Sequence, residues 1–206
     1  MRRLMLALLL AVAPVMAMAA GAAGPTQSIA VGEVLRGRFV QERHLKGFNA
    51  PLRTEGHFVL APGRGLIWRA EKPFAVTTVI TANGLVQEVG GSETMRMPSS
   101  RLPFLSRLYD MLGGALAGDW RALETDFVVT RAGDDRHWQV DLTPRKADDP
   151  IAMPFHAITA QGSRFVETVA MVKPDGDADN LSFLDQALSS ASLTAEEAAA
   201  LDTLTK

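Results

Sequence analysis

The chain has 206 residues, 47% of them hydrophobic, with no cysteine and a formal charge of −2. The mildly acidic balance excludes the basic excess typical of nucleic-acid binders, and the apolar content excludes a disordered chain. Without the first 20 residues about 186 remain, about 43% of them apolar, the composition of an ordinary globular domain.

Met1-Arg2-Arg3 is a short positive segment, followed by the apolar run Leu4 to Val12 and by Ala17-Met18-Ala19. That order is the pattern of a secretory signal peptide with a small-x-small cleavage site. The apolar run to Ala20 is interrupted by Pro14 and is short for a membrane-spanning helix. We therefore expect residues 1–20 to be a signal peptide and residues 21–206 to form one domain. A chain without cysteine has no site for the acyl chains of a bacterial lipoprotein. An exported protein that folds on its core alone suits a bacterial periplasm.

Short stretches of period two follow, separated by turn residues. Strands are expected at Leu35–Leu45, Thr54–Leu60, Gly65–Arg69, Val76–Thr81, Leu85–Val89 and Thr94–Met97. A second set covers Asp126–Arg131, His137–Thr143, Phe155–Gln161, Phe165–Val172 and Leu181–Leu184. Pro62-Gly63, Asn83-Gly84, Gly90-Gly91, Gly133-Asp134-Asp135, Gln161-Gly162 and Asp175-Gly176 supply the turns. Consecutive strands joined by short turns make a meandering antiparallel sheet.

Between Arg101 and Leu123 the pattern becomes helical, with Leu105, Leu108, Met111 and Leu112 at spacings of three and four. Gly113-Gly114 marks a stop or kink, and Asp119 reads as the N-cap of a short piece carrying Trp120. Near the C-terminus Thr194 and Glu197 form a T-x-x-E capping box. A short helix before Val34 is a further expectation, weakened by Gly32 and Gly37. This many strands in one chain must curl, because a flat open sheet rarely holds them. The fold class is mainly β (α+β): one curled antiparallel sheet, barrel-like, with a helical insertion across its opening.

Chemistry is sparse. His44, His57, His137 and His156 fall in no metal-binding spacing, and G-x-S-x-G, P-loop and dinucleotide fingerprints are absent. Asp175-Gly176-Asp177-Ala178-Asp179-Asn180 has the acidic alternation of a calcium loop but lacks glycine at its sixth position and glutamate at its twelfth. A polar hairpin tip is the better reading. No cofactor, metal or catalytic residue is expected. What remains is apolar: Phe39, Phe58, Leu66, Trp68, Val79 and Trp138 on strands, and Phe104, Leu105, Leu108 and Met111 on the helical segment.

The strands also carry a resemblance. Gly37-Arg38-Phe39-Val40-Gln41 is followed by Gly56-His57-Phe58, then Pro62, Gly65-Leu66-Ile67-Trp68 and Pro73. His137 to Pro144 ends in T-P, and Asp175-Gly176 leads into Leu181-Ser182-Phe183. This order resembles the LolA family from about Val34 to Asp185.

The resemblance implies a half-open β-barrel with a helical lid over an apolar cavity. It also implies a monomeric periplasmic carrier that accepts acylated lipoproteins, or another lipid cargo, from an inner-membrane ABC-type complex. The cargo would pass to an outer-membrane receptor. The six strand residues would line the cavity, and Phe104, Leu105, Leu108 and Met111 would form the lid. The family arginine before the proline of the second turn is replaced here by Ala61, so Arg64 is the nearest candidate for a polar contact with lid or cargo. The rival readings are a lipid-sensing or protein-interaction module of the same fold, and an exported hydrolase with an unrecognised site.

Overall fold

A computed structural model describes residues 29–101, 124–146 and 155–204. Its strands are β1 (Val34–His44), β2 (Leu52–Ala61), β3 (Gly65–Lys72), β4 (Val76–Thr81), β5 (Gly84–Val89) and β6 (Ser92–Pro98). Then come β7 (Phe127–Gly133), β8 (Trp138–Pro144), β9 (Ala157–Gly162), β10 (Val166–Val172) and β11 (Ala178–Ser189). All pair antiparallel in one sheet of order β6-β5-β4-β3-β2-β1-β11-β10-β9-β8-β7. The sheet is a half-open barrel with β6 and β7 at its two free edges.

Each expected strand is present with its ends moved by a few residues, except the last. β11 was expected only at Leu181–Leu184 and runs for 12 residues. Asp179, which reads as a turn residue, is held inside the sheet because Gln41, Arg43 and Lys173 satisfy its carboxylate. At the other end β11 continues past a register shift opposite Arg36 and Arg38, close to Asp185, whose φ is 52°. Residues 29–33 form a turn closed by the Glu33 N–H on the Ala30 carbonyl, not the short helix expected there. The signal peptide, the helical segment beyond Arg101, its Gly113-Gly114 kink and the Asp119 cap lie outside the described residues.

Antiparallel partners point to the same side of a sheet and neighbours along a strand to opposite sides, so the register assigns each residue a face. Ile67, Val79 and Val86 are in register on the outer face, all fully buried. Ile67 and Val79 belong to a layer with Val34 and Ala61 beneath α1 (Ala195–Asp202), whose Leu201 is 2% exposed. The inner face holds two further clusters. One joins Phe39, Phe58 and Leu35 from β1 and β2 to Phe165, and the other joins Phe127, Trp138, Val140, Leu142 and Ile158 from β7–β9.

A helix of eight residues is not stable by itself, and α1 is fixed by its capping box and by arginines of the sheet. The Glu197 N–H donates to Thr194 Oγ1 at 3.2 Å, and the Thr194 N–H donates back to Glu197 Oε2 at 2.8 Å. Arg36 of β1 adds two bonds to the same carboxylate, at 2.9 and 2.7 Å. Arg69 pairs with Glu196, Arg64 with Asp202, and Arg96 donates to the Thr203 carbonyl at the helix end. The Arg36 guanidinium, with the Thr194 N–H, outweighs burial and holds Glu197 down to about 2.

A carboxylate depressed in the fold contributes stability above its unfolded pKa and loses it as the pH falls toward the folded one. Glu197→Gln is therefore expected to lower stability by about 2 kcal/mol at neutral pH. The gap between the variant and the parent chain should narrow steadily as the pH drops from about 5 toward 2. Thermal melts of both proteins across that range check it; a gap that stays constant would contradict the assignment.

Candidate functional site

The inner face of β1–β3 is built on aromatic contacts. Phe39 of β1 and Trp68 of β3 stack with centroids 3.7 Å apart, although β2 runs between their strands. Phe183 of β11 meets Phe58 edge-on at 5.4 Å and Trp68 at 6.2 Å. Such pairs add stability beyond the area they bury. Two glycines make the arrangement fit. A Cβ on Gly56, which lies opposite Phe39, would overlap the Arg69 carbonyl oxygen, and one on Gly37 would lie 2.7 Å from the Phe58 ring. Gly56→Ala should therefore cost about 3 kcal/mol, the upper end of overpacking penalties, as measured by denaturant unfolding.

From this cluster an aliphatic row crosses the sheet. It starts at Leu188 of β11 and Leu35 of β1, passes Leu60, Leu66, Ile80 and Leu85, and ends at Met97 of β6. Across seven strands it extends about 29 Å at the usual strand spacing. Leu66, Ile80, Leu85 and Met97 are half-buried, whereas Ile67, Val79 and Val86 on the reverse of the same strands are sealed. A second inner row, from Phe58 through Trp68, Thr78 and Gln87 to Met95, carries the polar interruptions Thr78 and Gln87.

Along the β1 end the inner face closes with a charged group. Asp179 is 3% exposed and accepts from Gln41 Nε2 and Arg43 Nε, both at 2.9 Å, while Lys173 Nζ lies 3.0 Å from its second oxygen. Burial opposes its charge, but the bonds from Arg43, Lys173 and Gln41 outweigh it and hold its pKa below the usual carboxylate value.

The structure brings four of the six expected strand residues, Phe39, Phe58, Leu66 and Trp68, into one cluster. Of these, Phe39 and Phe58 are almost fully buried, and Leu66 and Trp68 are half-buried. Val79 is on the other face, packed with Ile67 under α1, because its register partner lies between Leu66 and Trp68. Trp138 belongs to the β7–β9 cluster, with its Nε1–H donating to the Ser163 carbonyl at 2.7 Å. Arg64 sits in the β2–β3 turn and is bonded to Asp202 of α1, away from the inner cluster. Phe104, Leu105, Leu108 and Met111 lie outside the described residues.

Residues missed in the sequence are Leu35, Leu60, Ile80, Leu85, Met97 and Leu188 of the aliphatic row, and Ile29, Phe165 and Phe183 of the cluster. β4 reads Val-Thr-Thr-Val-Ile-Thr, with apolar residues in both parities, so its inner face is fixed only by pairing with β3. Phe183 was within reach, because it shares the L-S-F motif of the resemblance.

Residues 15–206 match the family described as outer membrane lipoprotein carrier protein LolA-like. The chain belongs to that family. No curated protein sequence matches it. Among solved structures it is similar to the MucA/MucB complex of Pseudomonas aeruginosa, at 11% identity and a TM-score of 0.48, over 81% of this chain. The chain spans 55% of the length of the chain it matches there. A putative outer membrane lipoprotein-sorting protein domain from Vibrio parahaemolyticus gives 11% identity and 0.44, over 87% of this chain and 94% of that one. A LolA superfamily protein from Nitrosomonas europaea gives 10% and 0.41, over 82% and 90%.

Substitutions on the two faces of the sheet are expected to have different effects. Val79→Ala should destabilise by about 1–2 kcal/mol and leave the affinity for a fluorescent fatty-acid probe unchanged. Leu66→Asp and Ile80→Asp should weaken probe binding at least about tenfold in variants that still show the parent's far-UV circular dichroism. Probe titrations of the three proteins check the assignment.

Proposed function

We propose that this chain is a periplasmic carrier that holds the acyl chains of a lipoprotein, or of a related lipid-linked molecule, on the inner face of the half-open barrel. The observation that supports it best is the half-buried aliphatic row from Leu60 to Met97, backed by strands whose other face is sealed. Each methylene moved from water onto such a surface contributes about 0.8 kcal/mol. Membership of the LolA-like family supports cargo of this kind. A carrier of this kind is not an enzyme and requires no cofactor or metal. Among the described residues no helix is long and apolar enough to cross a membrane.

In this reading residues 1–20 are removed on export and the remainder works as a single monomeric domain. The chain between β6 and β7 connects the two free edges of the sheet. A segment with that connectivity, carrying Phe104, Leu105, Leu108 and Met111, is well suited to act as a lid over the opening. Loading would come from an inner-membrane ABC-type complex and unloading would be to an outer-membrane receptor. A lid that must open to admit cargo lowers the apparent affinity, so that cargo can pass onward.

Native mass spectrometry of the protein purified from its own periplasm tests the proposal. A bound mass that fragments to a lipid or lipoprotein is expected. A protein that emerges empty and also fails to bind a fatty-acid probe would refute it. One that retains lipid but never releases it to acceptor membranes would point instead to a sensing or interaction module.

A further inference from the structure

We propose that one end of the barrel, formed by the β1–β2, β3–β4 and β5–β6 connections, docks on an anionic lipid bilayer surface. Three of the large apolar side chains most exposed in the described structure are here: Phe48 at 70%, Phe74 at 76% and Leu52 at 56%. Val89 at the start of the β5–β6 turn is 43% exposed. Strand order places these connections two strands apart, about 10 Å from one to the next. Connections spaced in this way lie in a row along one rim of the sheet, an arrangement that suits a soft planar surface.

The projections are held in place. The Phe48 N–H closes a turn on the Leu45 carbonyl, and the Lys46 N–H donates to Asp177 Oδ1 of the β10–β11 hairpin at 2.9 Å. The same contacts arrange the charge. Around Phe48 and Phe74 the acidic side chains each have a partner within the protein: Glu42 and Glu55 with Arg53, Glu71 with His57, Asp175 with the Asp177 N–H, Asp177 with the Lys46 N–H, and Asp179 with Arg43 and Lys173. Lys46 and Lys72 flank the two aromatics in sequence and make no ion pair among the described residues. Exposed aromatics beside free ammonium groups match the boundary between anionic headgroups and acyl chains. The rim is also continuous with the inner face, because Val89 is in register with Val76, which pairs with Ala70 beside the aromatic cluster. The proposal stands apart from the identity of the cargo.

Co-flotation of the exported, cargo-free protein with vesicles of phosphatidylethanolamine and phosphatidylglycerol, and with vesicles of phosphatidylcholine, is the test. Partition onto the anionic vesicles that falls with added salt is expected. In the double variant Phe48→Ser/Phe74→Ser it should drop at least about tenfold, and Lys46→Glu/Lys72→Glu should abolish the preference for anionic lipid. Fatty-acid probe binding should be unchanged in both, which keeps failure of the rim distinct from failure of the carrier reading. No partition at low salt, or a Phe48→Ser/Phe74→Ser protein that partitions like the parent, would overturn the proposal. A parent chain that ignores vesicles while the rim variants lose cargo transfer would overturn it too, and would assign the rim to a protein partner.

Discussion

Strands β3 to β5 are apolar on both faces, and a sheet of that kind needs a cover on each side to avoid leaving apolar surface in water. Ile67, Val79 and Val86 on one side are sealed, with α1 over the layer that holds Ile67 and Val79. Leu66, Trp68, Ile80 and Leu85 on the other remain half-buried. The difference arises within single strands, between residues one position apart. A surface apolar enough to be core, left incompletely covered beside a free sheet edge, is the physical basis for reading this fold as a binding protein.

Sealing the outer face depends on charge as much as on apolar contact. α1 brings Leu201 to the apolar layer and few other large side chains, so its position is set by Arg36, Arg64, Arg69 and Arg96, which reach it from four places in the sheet. Exposed pairs such as Arg64–Asp202 and Arg69–Glu196 contribute little each. Arg36–Glu197 is different, because one carboxylate completes both the helix cap and the tie to β1. This also accounts for Arg64. Sequence position alone makes it a candidate for contact with cargo, whereas its geometry gives it a place in holding the helix.

The strands were legible because period-two alternation and turn residues are local signals, and the T-x-x-E cap of α1 was legible for the same reason. The faces were not. Register is a property of pairs of strands, and β4 offers Val76, Thr78 and Ile80 to one side and Thr77, Val79 and Thr81 to the other, so Val79 and Ile80 exchange roles with a shift of one residue. Asp179 was read as part of a turn because its partners, Arg43 and Lys173, are supplied by distant parts of the chain. The motifs behind the family resemblance gain a physical meaning in the fold. Phe39, Phe58, Trp68 and Phe183 are the aromatic cluster, Gly37 is where a side chain would collide with the Phe58 ring, Gly56 is where one would collide with the β3 backbone, and Gln41 bonds the buried carboxylate.

The inner face also differs from one half of the barrel to the other, and that difference bears on how cargo could leave. In the β7–β9 half, Phe127, Trp138 and Val140 are almost completely buried and fill their own cluster. In the β3–β6 half the lining is the aliphatic row, with Thr78 and Gln87 beside it, half-buried and close to the free edge at β6. A site enclosed on all sides would retain acyl chains by the full transfer free energy of their methylenes. A shallow row ending at an open edge leaves part of each chain in contact with whatever lies over it. In the carrier reading, the stiff aromatic cluster maintains the curvature and spacing of the sheet, and the aliphatic row does the binding. Affinity can then be adjusted by what covers the row without disturbing the cluster that keeps the barrel folded.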